Sequence, residues 1–321
     1  MRHHRLLLIA LAGAAGLAAS PASGRAGPGP GPESARFAFG LFGNQRATPE
    51  GKDRFGALVD SVNDARLAFS VDDGGIGAAP DDCSDDYDLE TRDLFDRFEA
   101  PVLYTPGQAD WAACGGGSTA LERLGALRRV FFATVDSQGR HRLAVDRQAP
   151  YFRENARWSY GPVTFATVHV VGAGNGSGRD AQGDREVAAR VAAAKAWIDR
   201  TFAEAAANRS RGVVLVWQAD PHFGQHGTAY DGLRGDLRAR TIAFGGPVVL
   251  VHGDGGYFRI DKPMVDDRGR RVENFTRVET FGPAETDWVE GLVDPSDPGL
   301  FSFRPQIVPP PTAMGPAAAG R

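Results

Sequence analysis

Val213-Val214-Leu215-Val216-Trp217-Gln218-Ala219-Asp220 is an apolar run that stops abruptly on polar groups, and Val248-Val249-Leu250-Val251-His252-Gly253-Asp254-Gly255-Gly256 repeats the plan. Runs that are apolar at every position are the pattern of strands buried on both faces. Elsewhere short apolar segments alternate with stretches of helical periodicity. Arg36 to Gly43 predicts a strand ending in Gly43-Asn44-Gln45, followed by a helix over about Pro49 to Arg66 with Phe55, Leu58, Val59 and Val62 on one face. Leu67 to Val71 is a short strand that stops at Asp72-Asp73-Gly74-Gly75, and Val102 to Thr105 is another that runs into Gly107-Gln108-Ala109-Asp110.

Further helices are predicted over about Leu89 to Phe98, Ala120 to Arg129 and Asp184 to Ala207. A strand over Val163 to Val171 leads into the glycine-rich Gly172 to Gly178. The chain is β-rich from Tyr257 onward, with Phe275 to Phe281, Trp288 to Val293 and Phe301 to Val308. This order predicts one α/β domain over about residues 36 to 308, with helices layered on mixed sheets. Ligands of such sheets bind where the carboxyl ends of strands converge.

The 321 residues are 42% hydrophobic and 24% charged, with a net charge of −4, which excludes a disordered chain and argues against a general nucleic-acid binder. Residues 1–24 have the plan of a secretory signal: Arg2 and Arg5, the apolar run Leu6 to Ala19, then small residues. That run is shorter than the roughly 20 residues of a membrane span, so a cleaved export signal is expected, with an N-terminal anchor as the alternative. Residues 25–35 read as a Gly/Pro-rich linker and 309–321 as a loose Pro/Ala-rich tail. No transmembrane span is expected after signal removal, so the protein is placed in a periplasm or outside the cell. Cys83 and Cys114 are the only cysteines; in an exported protein they suggest a disulfide, the alternative being two unrelated buried thiols.

Taken in order, these strand ends and the segments around them resemble the calcineurin-like metallophosphoesterase superfamily, in particular an exported bacterial branch. The matching pieces include Cys83-Ser84-Asp85, Tyr104-Thr105-Pro106-Gly107, Val168-His169-Val170-Val171-Gly172, Gln218-Ala219-Asp220-Pro221, Val251-His252-Gly253-Asp254 and Tyr257-Phe258-Arg259-Ile260-Asp261. The resemblance implies a layered α/β/β/α sandwich of two mixed sheets flanked by helices. It also implies a pair of metal ions held by Asp-x-His, Gly-Asp, Gly-Asn-His-Asp/Glu, a lone His and Gly-His-x-His at successive strand ends.

Here that chemistry is degenerate. Asn44 stands for the first aspartate, Gly75 for the bridging one, Gln108 for the asparagine and Ala109 for the catalytic histidine. Gln218 replaces the lone histidine and Gly256 the last one, while Asp110 and His252 keep the family's residue types. Two dications 3.5 Å apart repel by about 19 kcal/mol at an effective dielectric near 20, and only anionic ligands offset that. Neutral amides suit a hard ion only as supplements to carboxylates. The leading expectation is therefore a binding or scaffold protein without a dinuclear centre, with no cofactor and an unknown partner. The alternative is an active phosphoesterase holding divalent Mn, Fe or Zn in a rearranged or mononuclear site built from Asp73, Asp110, His252 and Asp254. A purely structural envelope protein is a third reading.

Three other features were weighed. His169, between valines, reads as a satisfied core histidine rather than a ligand. His222 and His226 have metal-pair spacing, but Gly224 and Gly227 argue against the helix that the spacing needs. Gly172 to Gly178 lacks the last glycine of a dinucleotide fingerprint and reads as a strand-to-helix loop.

Overall fold

The computed structural model describes residues 35–115 and 117–309. The export signal, most of the linker and nearly all of the tail expected from the sequence lie outside these residues. Two sheets pack face to face. The first has the order β12-β11-β1-β2-β3, built from β1 (Phe37–Phe42), β2 (Ser70–Asp72), β3 (Val102–Tyr104), β11 (Trp288–Val293) and β12 (Phe301–Gln306). The second has the order β4-β5-β6-β7-β8-β10-β9. Its strands are β4 (Asp146–Gln148), β5 (Phe152–Tyr160), β6 (Val163–Thr167), β7 (Gly212–Trp217), β8 (Val248–His252), β9 (Arg259–Asp261) and β10 (Phe275–Glu279).

Both sheets are mixed. β1, β2 and β3 run parallel in one, and β6, β7, β8 and β10 run parallel in the other. The residues between the sheets are apolar: Phe39, Leu41, Phe69 and Val71 from the first meet Trp158, Phe165, Val214, Val216, Val249 and Val251 from the second. The Phe69 ring packs edge-on against Phe165 at 4.9 Å and Trp158 at 5.4 Å, each pair contributing about 0.5–1.5 kcal/mol beyond area burial.

Helices cover the two outer faces. α1 (Pro49–Asp64), α2 (Asp85–Phe95), the short α3 (Gln108–Trp111) and α4 (Gly117–Phe131) lie on the first sheet, where Phe55, Leu58, Phe95, Leu124 and Leu127 form one core. After the single turn α5 (Gly172–Asn175), α6 (Ala181–Ala207) and α7 (Asp231–Phe244) cover the second sheet through Trp197, Ile198, Phe202, Leu233 and Leu237. Helix starts are fixed locally. Thr48 caps α1 by accepting from Gly51 N at 3.1 Å, Ser84 caps α2 from Tyr87 N at 3.2 Å, and Asp180 caps α6 from Gly183 N at 2.7 Å. The result is the expected α/β/β/α sandwich.

Several expectations are corrected. The strand at Val163 ends at Thr167: Val168 N still donates to Val216 O at 2.8 Å, but Val170 N turns back onto Val168 O at 2.9 Å, which breaks the regular ladder. The β2 and β10 strands occupy Ser70–Asp72 and Phe275–Glu279, shifted or shortened from the apolar runs. The sequence-based expectations omitted β5 and α7. β5 reads Phe-Arg-Glu-Asn-Ala-Arg-Trp-Ser-Tyr, and its buried Glu154 and Asn155 are tolerated only through partners remote in sequence. In α7, Gly232 and Gly235 weaken helical propensity, and burial of Leu233, Leu237 and Thr241 overrides it.

Cys83 and Cys114 form a disulfide with a Cα–Cα distance of 5.7 Å, tying the start of α2 to the α3–α4 junction across a separation of 31 residues. Among the described residues no helix is long and apolar enough to cross a membrane. Replacing both cysteines by serine is expected to lower unfolding free energy by about 3 kcal/mol through the freed loop entropy. Urea denaturation of oxidised wild type and the double variant measures it, and equal midpoints contradict the assignment.

Candidate functional site

The parallel strands of both sheets end on one side of the sandwich, so five chain turns meet there. Asp73 Oδ2 accepts from Thr280 Oγ1 at 2.7 Å, joining the end of β2 to the end of β10 across the sheets. Glycines make the approach possible. A Cβ on Gly43 would sit 1.7 Å from Asp73 Oδ1, and one on Gly253 would sit 2.9 Å from both Asp73 Oδ1 and Asn44 Nδ2. Asn44, Asp73 and the start of the β8 turn are therefore brought together.

Gln218 is buried at the centre. Its Oε1 accepts from Gly172 N at 2.7 Å and from Gln108 N at 3.4 Å, so the amide pins two neighbouring turns to each other. Gln108 and Ala109 open α3 and are half-buried. Asp110, beside them, accepts four hydrogen bonds: from Gly107 N at 2.7 Å, Ile76 N at 2.9 Å, Gly75 N at 3.2 Å and the Tyr104 hydroxyl at 2.7 Å. Three of these bonds fall on Oδ2 and one on Oδ1, and together they hold the β2 and β3 turns.

At the family's bridging position, Gly75 has φ +78°, and a Cβ there would lie 2.4 Å from Asn44 Oδ1. Gly75 and Asn44 thus fit each other closely. Neighbouring Asp72 turns inward to accept from Gly74 N at 2.8 Å. Asp254 has φ +67° and is exposed on the rim, packed against Gly172. Gly256 is exposed and open.

His252 is fully buried, and its Nδ1 lies 2.6 Å from Gly253 O, so Nδ1 carries the proton and Nε2 is a lone-pair acceptor. Nε2 has no hydrogen-bond partner among the described residues, nor has Asp73 Oδ1. Burial pushes the His252 imidazole down to about 4. It also raises Asp73 well above the carboxylate range, against the lowering bond from Thr280 and with help from Glu279 and Asp254. Burial likewise raises Asp72, Asp110 and Asp254.

One residue escaped the sequence analysis. Glu279 ends β10 as the register partner of His252, is fully buried, and pairs with Arg259, whose guanidinium is also 3.9 Å from Asp220. A lone glutamate closing an apolar strand, like His252 closing β8, was the available cue. His169 stands outside the site. Its Nε2 accepts from Trp111 Nε1 at 3.1 Å and its Nδ1 lies 3.0 Å from Glu154, whose other partner is Arg128. Burial acts to raise the Glu154 carboxyl, but bonds from His169 and Arg128 outweigh it and hold it at about 2. His222 lies in a turn over Asp220 and His226 is exposed; the segment forms no helix. Among the described residues no three His, Cys, Asp or Glu side chains converge as a metal-holding group.

The metal pair implied by the fold family does not fit these donors. Asn44, Gln108 and Gln218 offer neutral amides, Gly75 offers no side chain, four donors engage Asp110, and among the described residues no three acidic or histidine side chains converge.

No family model and no curated protein matches the chain. Solved structures do. A purple acid phosphatase from yellow lupin is 10% identical with a TM-score of 0.50 over 87% of this chain and 55% of its own. A dimetal phosphatase from Danio rerio is 12% identical with a TM-score of 0.48 over 79% and 92%. The NAD nucleotidase of Haemophilus influenzae is 10% identical with a TM-score of 0.45 over 85% and 50%. The chain thus spans about half the length of the lupin and Haemophilus proteins.

Two measurements check the site. Gly75→Asp is expected to cost about 1–3 kcal/mol, because a non-glycine residue is strained at that φ, and chemical denaturation reads the loss; unchanged stability means the bridging position is open after all. His252 binds its proton more weakly folded than unfolded, so stability is expected to fall as pH drops from 6.5 through about 4, by at most about 3 kcal/mol. His252→Gln should flatten that slope, and an unaltered slope would show that the imidazole is solvated. The two mixed sheets with flanking helices share their fold with the purple acid phosphatase from yellow lupin.

Proposed function

We propose that the protein is an exported metallophosphoesterase-fold protein that lacks a dinuclear metal site and acts as a binding or scaffold protein rather than a hydrolase. The observation that carries this reading is the pairing of Gly75 with Asn44, in which the space for a bridging carboxylate is closed by a neutral amide. A bridging anion is what offsets the repulsion of two adjacent dications. The rearranged site built from Asp73, Asp110, His252 and Asp254 finds less support, since four hydrogen bonds engage Asp110 and Asp254 lies on the rim. The export component draws support from the Cys83–Cys114 disulfide, a bond that persists in oxidising compartments.

The experiment is direct. Mature protein soaked in manganese, zinc or iron and then dialysed is expected to retain substoichiometric metal and to leave generic phosphomonoesters and diesters intact. Stoichiometric metal, together with hydrolysis that vanishes in Asp73→Ala or His252→Ala, overturns the reading.

A further inference from the structure

At the end of the sandwich opposite the strand-end cleft, the segments that enter β2 and β3 border an open hollow of about 570 Å³. Its apolar lining comes from Val62, Leu67, Ala68, Ala100 and Pro101, and its volume suits a small molecule. Hydrogen bonds fix the walls. Near the end of α1, Asn63 accepts from Glu99 N at 2.8 Å and donates to Arg97 O at 3.2 Å. His141 N donates to Glu99 O at 3.1 Å. Tyr160 lines the hollow too, its ring held 4.7 Å from Phe37 and 5.7 Å from Phe69.

The charges in this lining do not cancel. Arg66 follows the end of α1 with φ +52°, the left-handed position at which helices ordinarily place glycine. An arginine there carries a conformational cost that glycine avoids. Its guanidinium nevertheless makes no ion pair or hydrogen bond among the described residues, and neither does the Tyr160 hydroxyl. Glu99, the acidic residue of the lining, is paired with Arg140. His141 Nδ1 lies 2.7 Å from Glu99 O and so holds its proton there, leaving Nε2 as an acceptor. The free donors are therefore those of Arg66 and Tyr160. A guanidinium and a hydroxyl beside apolar surface suit a carboxylate on a small apolar body. An ammonium ligand would meet the uncompensated charge of Arg66, and a wholly polar anion would leave the apolar lining in water.

We infer that this hollow is a binding site, separate from the strand-end cleft, for a small amphiphilic monocarboxylate whose head group meets Arg66 and Tyr160. None of its residues lies at the strand ends, so metal retained there leaves this site untouched, and its failure leaves the proposed function untouched. The test is calorimetric titration of the mature protein with 4-phenylbutyrate, with the neutral amide of that acid and with 4-phenylbutylamine, alongside alanine-methyl NMR. Saturable binding of the carboxylate is expected, with shifts at Ala68 and Ala100, and the amide and the amine should bind about tenfold more weakly. Arg66→Gly should lose affinity by about tenfold while its unfolding midpoint holds or rises, because glycine relieves the left-handed strain. Tyr160→Phe keeps the ring packing, removes the hydroxyl and should weaken binding several-fold; it carries the test if Arg66→Gly fails to fold. Absent carboxylate binding, equal binding of the amide, or unchanged affinity in either variant overturns the inference.

Discussion

Everything in this molecule depends on the dry contact between its two sheets. Phe39 and Phe69 from one sheet and Phe165 and Trp158 from the other interlock there, and the β-branched residues of β7 and β8 fill the remaining layer. That packing sets the register in which the parallel strands of both sheets finish together. Shifting either sheet by one residue would turn its apolar set away from the partner. The cleft at the strand ends is a by-product of this hydrophobic register, so its shape does not depend on the polar residues that line it.

Within the cleft, polar residues do structural work that metal coordination would otherwise forbid. Asp110 ties three backbone N–H groups and the Tyr104 hydroxyl, Gln218 joins the Gly172 and Gln108 turns, and Asp73 spans the sheets through Thr280. The four donors on Asp110 make it a structural tie between the β2 and β3 turns. Among the described residues, His252 Nε2, Asp73 Oδ1 and Glu279 Oε1 are buried there without a hydrogen-bond partner.

The buried charges around β5 show the complementary solution. Glu154 is buried in β5 and is made tolerable by Arg128 from α4 and His169 beyond β6, with Trp111 completing the imidazole's bonding. Each of these residues comes from a different element. Such a network fixes how α3 and α4 sit on the sheets, and a buried charge with all partners present avoids the large desolvation cost of an unpaired one.

Much of the fold was legible without coordinates. The continuous apolar runs of β7 and β8, the face of α1 and the Gly-polar strand ends are local patterns, and burial of apolar surface makes local pattern decisive. The sandwich, the Cys83–Cys114 bond and the neutral amides at positions 44, 108 and 218 all followed from residues read in order. β5 and α7 did not, since their polar or glycine-rich sequences are held only by contacts made elsewhere in the chain. Nor did the sequence reveal that Asp110 is consumed by backbone donors, that Gly75 is pressed against Asn44, or that Glu279 lies beside His252. Residue identity states which groups a chain can offer. Whether an oxygen still has a free lone pair depends on neighbours brought close by folding, and tertiary structure alone decides that.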